Sequence, residues 1–234
     1  MKKKLKLVAL TGAGMSAESG IATFRDSGGL WEQYDVEDVA SAEGFRRNPE
    51  LVINFANDRR EQCVQAMPNE GHMLLADLED DFDVTVVTQN IDDLHERAGS
   101  SHVIHLHGEL MKCCSVANLS NPLPLPEGRL RMTVEDQDER GNMLRPFIVY
   151  FGEPVPRMTD AMREVEQADI FLIVGTSLNV YPAAGLVQFV RKGVPIYLID
   201  PKEVPGSSSF HHLRMGGSEG MKVLKEILDE KYSQ

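Results

Sequence analysis

Five short runs place glycine or polar side chains directly after an apolar stretch: Gly12-Ala13-Gly14, Gln89-Asn90-Ile91-Asp92, His105-Leu106-His107-Gly108, Gly175-Thr176-Ser177 and Asp200. The first has a recognisable chemistry. Gly12-Ala13-Gly14-Met15-Ser16-Ala17 has the G-x-G-x-x-G/A form of a dinucleotide-binding turn, in which free backbone N–H groups at a helix start meet phosphate. Such a string occurs by chance, so its meaning depends on what accompanies it.

The surrounding elements give the five runs a common location. Leu7-Val8-Ala9-Leu10, Phe82 to Thr88 (FDVTVVT), Val103 to Leu106, Ile170 to Val174 (IFLIV) and Val194 to Ile199 read as strands. Between them, helical periodicity is expected over Ser16–Ile21, within 36–67, from His72, over Asp92–Ala98, Thr159–Gln167 and Ala183–Lys192, and in a closing helix over Glu219–Lys231. Strands alternating with helices predict an α/β fold: a Rossmann-like, mostly parallel sheet with helices on both faces. Ligands bind at the carboxyl ends of such strands, and all five polar runs fall there. Residues 109–145 differ. They hold Cys113-Cys114, three closely spaced prolines and the charged stretch Glu135 to Asn142, and read as a loop-rich insert.

Composition narrows the function. The chain has 234 residues, 42% of them apolar, which suits one substantial core with a small appended lobe. A formal net charge of -12 argues against non-specific nucleic-acid binding and anionic membrane surfaces. The three cysteines, Cys63, Cys113 and Cys114, suggest a reducing compartment, and cytoplasmic location is expected. The lead MKKKLK is followed by too short an apolar run for a signal peptide, and no run is long enough to span a membrane. Hydride-transfer chemistry is disfavoured: a dehydrogenase places its second strand and a ribose-binding acid about 20 residues past the glycines, whereas Glu32 to Asp38 follows a Gly-Gly loop and ends no strand.

Several motifs together resemble those of the sirtuins, NAD-dependent protein lysine deacylases. The carrying residues are Gly12-Ala13-Gly14-x-Ser16-x-x-Ser19-Gly20-Ile21-x-x-Phe24-Arg25, Pro68-Asn69-x-x-His72, Thr88-Gln89-Asn90-Ile91-Asp92, His107-Gly108, Arg145-Pro146 with Val149-x-Phe151-Gly152-Glu153, and Gly175-Thr176-Ser177-x-x-Val180-x-Pro182-Ala183. They occur in family order across nearly the whole chain. The resemblance implies NAD as cosubstrate and an acylated lysine, in a protein or peptide, as acyl donor. The acyl oxygen attacks the ribose carbon bearing nicotinamide, and the acyl group ends on ADP-ribose. His107 would be the general base on a ribose hydroxyl, since imidazole titrates near neutral pH. His105 points to the same strand face and is its rival. Asn90 and Asp92 would bond the nicotinamide carboxamide, although Asp92 also suits a helix cap. Gln89 would reach a ribose hydroxyl. Gly12, Ala13, Gly14, Ser16, Phe24, Arg25, Gly175, Thr176, Ser177 and Asp200 complete the expected cofactor contacts. Val149, Phe151 and Gly152 would take the peptide as an added strand. The loop from Ile21 to Arg25 is expected to order with NAD, and Trp31 to pack near it.

The resemblance also implies an organisation. One catalytic domain, 1–234, would have a large lobe from 1–25, 72–108 and 146–234. A small lobe would combine a helical segment, 26–71, with the insert, 109–145.

Three departures carry expectations of their own. Zinc-bearing sirtuins have two Cys-x-x-Cys pairs after His-Gly; here Cys113 and Cys114 are adjacent and no second pair follows, so no metal site and no structural zinc are expected. The branch that removes acidic acyl groups has a Tyr-x-x-Arg pair; here Arg59 is kept and Ala56 replaces the Tyr, which points to a wider acyl pocket that still holds a cation, suited to succinyl, malonyl or longer groups as well as acetyl. Asp200 stands where the family has Asn, and favours NAD over its phosphorylated form. An NAD-dependent protein ADP-ribosyltransferase and a non-catalytic NAD-binding module are the alternative readings.

Overall fold

A computed structural model describes residues 3–23, 34–126 and 129–232. Phe24, Arg25 and Trp31 lie outside the described residues.

Six strands form one parallel sheet: β1 (Lys6–Thr11), β2 (Asp83–Thr88), β3 (Val103–His105), β7 (Ile170–Val174), β8 (Ile196–Ile199) and β9 (His211–Leu213), in the order β3-β2-β1-β7-β8-β9. Alternate residues of each strand point to opposite faces, which explains two separate apolar layers. Leu7, Ala9, Val84, Val86 and Leu172 enter one layer, and Val8, Leu10, Val87, Phe171 and Ile173 the other. The first layer is closed by α5 (Glu70–Asp77) and α8 (Gly217–Tyr232), through Leu75, Met221, Leu224 and Leu228. The second is closed by α7 (Met158–Gln167) and a 3₁₀ turn, Ala183–Phe189. The α-helix expected over Ala183–Lys192 is thus a shorter, tighter turn, and β9 was not expected at all.

The described residues between β1 and β2 are mostly helical. After α1 (Ala13–Ala17) come α2 (Val36–Val39), α3 (Ala42–Arg47) and α4 (Pro49–Gln65). Asp35, Ser41 and Asn48 cap the last three by accepting from Glu37, Gly44 and Leu51 N–H, and Pro49 takes the first helical position, where a missing N–H costs nothing. The short helix expected over Ser16–Ile21 starts three residues earlier, so Ser16 sits inside it and caps nothing.

The described residues of 125–143 make the insert loop-rich, as expected, but it also contributes strands. β4 (Gly108–Ser115), β5 (Asn118–Pro124) and β6 (Leu144–Ile148) form an antiparallel sheet in the order β5-β4-β6. Pro122 and Pro124 are tolerated because β5 is an exposed edge strand. The lobe boundaries expected at 108/109 and 145/146 both fall inside paired strands, because β4 and β6 are partners from Gly108↔Ile148 to Ser115↔Leu144. Residues 146–148 belong to this sheet and not to the large one.

Candidate active site

Because the six strands are parallel, their carboxyl ends share one edge. Gly12, Gln89, Leu106, Gly175 and Asp200 each follow directly on a strand there. The two glycine loops touch. A Cβ on Gly14 would sit 2.7 Å from Gly175 Cα, and one on Gly175, whose φ is +62, would sit 2.3 Å from Met15 N. Glycine is therefore required for the β1 and β7 loops to close into one cradle. Gly12 N–H donates to Val174 O, and Gly14 N–H to Gly175 O, at 3.0 and 2.9 Å.

Beside this cradle, three buried side chains bond one another. Asn90 Nδ2 donates to Gly12 O and to Ser16 Oγ, both at 3.0 Å, and Ser16 Oγ donates to Asp92 Oδ2 at 2.9 Å. Asp92 Oδ1 also accepts Leu94 N–H at 3.2 Å, so it caps the turn into α6 (Leu94–Ala98) while it faces Ser16. Burial raises its carboxyl above the usual range, against the hydrogen bonds from Leu94 and Ser16. Asn90 has used both amide hydrogens on the protein, which leaves its amide oxygen as the atom it can offer. Gln89 Nε2 donates to Thr176 Oγ1 at 3.1 Å and ties the β2 and β7 loops together. Asp200 Oδ1 accepts Lys202 N–H at 2.9 Å. Ser177 is exposed and accepts from Asn179 Nδ2 at 3.1 Å.

The two histidines separate cleanly. His107 Nδ1 lies 3.0 Å from Gln89 O. A carbonyl only accepts, so Nδ1 carries hydrogen and Nε2 keeps its lone pair. Among the described residues, no partner engages Nε2. Burial lowers the His107 pKa below the usual imidazole range, with the Gln89 bond opposing it, so the ring is a neutral base at physiological pH. His105 faces acceptors on both nitrogens: Asn90 O at 3.0 Å from Nδ1 and Glu96 Oε1 at 2.7 Å from Nε2. It has no free lone pair and cannot serve as the rival base.

A pocket opens beside Asn90 and Asp92, with Ser16, Ala22, Arg59 and Gln62 in its wall. Arg59 Nε is buried with no partner among the described residues, and its guanidinium lies 5.3 Å from the Phe55 ring centroid. Ala56 does not line the pocket. It packs behind the wall against Cys63 and Leu110. Gln62 was missed from sequence, although it lies one turn from Arg59 on the same helix face. Glu96 was missed too, and no sequence signal links it to His105.

The peptide-strand candidates sit next to His107. Val149 N–H donates to His107 O at 2.9 Å. Phe151 has its ring exposed, but its N–H and C=O are taken by Ala40 O and Ala42 N. Gly152 follows with φ +91.

The cysteines do not fit a metal. Successive strand residues point apart; Cys113 Sγ donates to Pro124 O at 3.0 Å and Cys63 is on α4 in a different cluster. Among the described residues, no three His, Cys, Asp or Glu side chains converge.

Comparison with known proteins agrees with this geometry. A model of the Sir2 family matches residues 12–182. An NAD-dependent protein deacylase of Bacteroides thetaiotaomicron is 59% identical over 227 residues, covering 95% of this chain and 97% of that protein. Among solved structures, a mutant Sir2 homologue in complex with ADP-ribose superposes with TM-score 0.90 at 40% identity, over 98% of this chain and 94% of that one. Sir2Tm bound to a propionylated peptide gives TM-score 0.78 at 31% identity, over 97% and 94%. With the family match running from the glycine cradle to the loop after β7, the chain belongs to the Sir2 family.

Proposed function

We propose that this protein removes acyl groups from protein lysine in an NAD-dependent reaction, with His107 as the general base. The single observation that carries the base assignment is the His107–Gln89 bond, which holds the hydrogen of the neutral ring on Nδ1 and leaves the lone pair on Nε2 at the strand edge, while burial favours the neutral form. Bound NAD supplies a ribose carbon whose nicotinamide leaves as the acyl oxygen attacks.

The chain's own residues hold and deprotonate. The cradle of Gly12, Ala13, Gly14, Gly175, Thr176 and Ser177 holds the phosphates and adjoining ribose, and Asp200 accepts from the adenosine ribose. Asn90 and Asp92, locked to Ser16, hold the carboxamide in the pocket. Gln89 and His107 address the ribose hydroxyls, and His107 Nε2 takes the proton that frees one hydroxyl for acyl transfer. Val149 and Gly152 flank the extended acyl peptide, and Phe151 offers it a ring and not backbone bonds.

Arg59 is a cation in the pocket wall with an unused buried N–H, which supports recognition of an acyl carboxylate. Ala56 acts only through the packing behind that wall. The adjacent, oppositely directed Cys113 and Cys114 argue against a structural zinc, and the three free thiols suit the cytoplasm.

A panel of acetyl, propionyl, malonyl and succinyl peptides incubated with NAD and followed by mass tests this reading. Loss of the acyl group, with nicotinamide and acyl-ADP-ribose formed in equal amount, is expected; ADP-ribose added to protein would point to a transferase. Arg59→Met should lower desuccinylation about tenfold more than deacetylation, the worth of one charge-assisted bond. Equal losses would remove the acyl-carboxylate role.

A further inference from the structure

One ion pair behind the site, between buried His105 and the half-exposed Glu96, meets none of the side-chain groups that bind or deprotonate substrate in this reading. His105 is buried at the end of β3, and Glu96 reaches it from α6. The imidazole lies between Glu96 Oε1, at 2.7 Å, and Asn90 O, at 3.0 Å. Both partners accept, so the geometry is fully satisfied only by a ring with hydrogen on both nitrogens, an imidazolium. The carbonyl it holds is that of Asn90, whose side chain closes on Ser16 and Gly12. The preceding carbonyl, of Gln89, holds His107. One turn therefore carries two histidines in opposite protonation states, on adjacent carbonyls.

We propose that the Glu96–His105 pair is a positioning device that fixes the Gln89–Asp92 turn through the Asn90 carbonyl, and that the reaction is fast only while His105 donates to both partners. The inference rests on the deacylase reading above. Neutral His105 cannot satisfy both acceptors. It would keep its remaining hydrogen on the Glu96 carboxylate, the stronger acceptor, and turn a lone pair toward Asn90 O. Burial pushes the His105 pKa down, but the Glu96 bond and charge and the Asn90 carbonyl outweigh it and hold the pKa above the usual imidazole value. The other groups that act on it are Glu109 from β4, Asp92 from the turn itself and buried His95 from α6.

Glu96→Gln gives a specific test. A Gln amide can donate to Nε2, so a neutral His105 keeps Nδ1–H on Asn90 O at any pH. In the wild type, kcat should fall about tenfold between neutral and alkaline pH, the rate equivalent of one lost hydrogen bond, with peptide KM little changed. In Glu96→Gln that alkaline fall should vanish while the acid limb, set by His107, stays in place. An alkaline limb that persists in the variant overturns the proposal, as does a uniform loss at every pH. A second measurement needs no variant and no substrate. The imidazole ¹⁵N shifts of wild-type His105 should show two protonated nitrogens at neutral pH and lose one proton at the pH of the alkaline limb. A neutral His105 at pH 7 overturns the proposal outright. If no acyl peptide is turned over, the deacylase reading fails and the positioning role with it, and a doubly protonated His105 then marks that failure as one of function and not of geometry.

Discussion

The two sheets are held together by different physics. Every central strand of the parallel sheet sends alternate side chains into two apolar layers, and Leu7, Val8, Leu172 and Ile173 are all 0% exposed. The antiparallel sheet has two small clusters behind it, one with Phe45, Val52, Ile53, Cys113, Met132, Leu144 and Tyr150 buried and one of Ala56, Cys63 and Leu110. It makes up the difference with buried polar staples. Arg60 on α4 donates to Leu110 O at 2.7 Å and to Asn57 Oδ1 at 2.6 Å, and Asn57 pairs with both N and O of Met132 at 2.8 Å. Arg145 grips Glu153 at 2.6 and 3.1 Å and donates to Ile148 O at 2.7 Å, while its guanidinium lies 4.0 Å from the Tyr150 ring centroid. An apolar sheet tolerates volume changes in proportion to their size. A stapled sheet fails at single residues and, because Arg145 and Glu153 bracket residues 149–152, carries with it the segment proposed to meet the peptide.

The contrast is largest at Arg145. Arg145→Ala leaves Glu153 buried without its partner and should cost about 3–5 kcal/mol, whereas Arg145→Met with Glu153→Leu removes both charges and should recover most of that. Leu172→Ala in the parallel sheet should cost about 2–5 kcal/mol, and no charge substitution will rescue it. Urea unfolding of these variants measures both. If the double variant is as damaged as Arg145→Ala, the small sheet is not held by the ion pair's completeness.

Acid should separate the sheets next. His72 and His95 are buried in a T-shaped pair under α5 and α6, at 4.9 Å between ring centroids, next to the parallel sheet. Burial lowers the His72 pKa to about 4 and that of His95 well below the usual imidazole value. Their folded pKa values lie below the unfolded value of about 6.5, so their contribution is full above that pH and declines as pH falls. Each histidine should cost ~1.4 kcal/mol per pH unit below about 6.5, for His72 until about pH 4. Hydrogen exchange at pH 5 should therefore quicken in α5 and α6 before β4 and β6. The reverse order would place the acid-sensitive contacts in the antiparallel sheet. The smallest expected effect is that of a chelator. EDTA should leave Tm unchanged, since a structural zinc would contribute on the order of 10 kcal/mol; a large fall in Tm, or about one zinc per chain, would contradict a fold that needs no metal.

The same contrast explains what the sequence made legible. Phe82 to Thr88 and Ile170 to Val174 are β-branched, apolar runs whose only stable use is a buried parallel strand, and the polar residues after them marked the site edge. β9 was hidden because His211, His212 and Leu213 form a short, partly exposed edge with no apolar run. β5 was hidden behind prolines that only an edge strand accepts. The staples were hidden for a deeper reason: Arg60–Met132 and Glu96–His105 are long-range or cross-element pairs of polar residues, which carry no periodicity. The His107-Gly108 motif favoured His107 over His105, and the acceptors around each ring supply the physical difference between them.

His107→Ala probes the proton transfer proposed for His107 at this sheet edge. With NAD and an acyl peptide that the wild type turns over, the variant should keep the wild-type Tm and lose deacylation by about 10²–10⁴-fold, measured as acyl-ADP-ribose formed. A folded His107→Ala protein that forms this product at the wild-type rate would rule out His107 as the base.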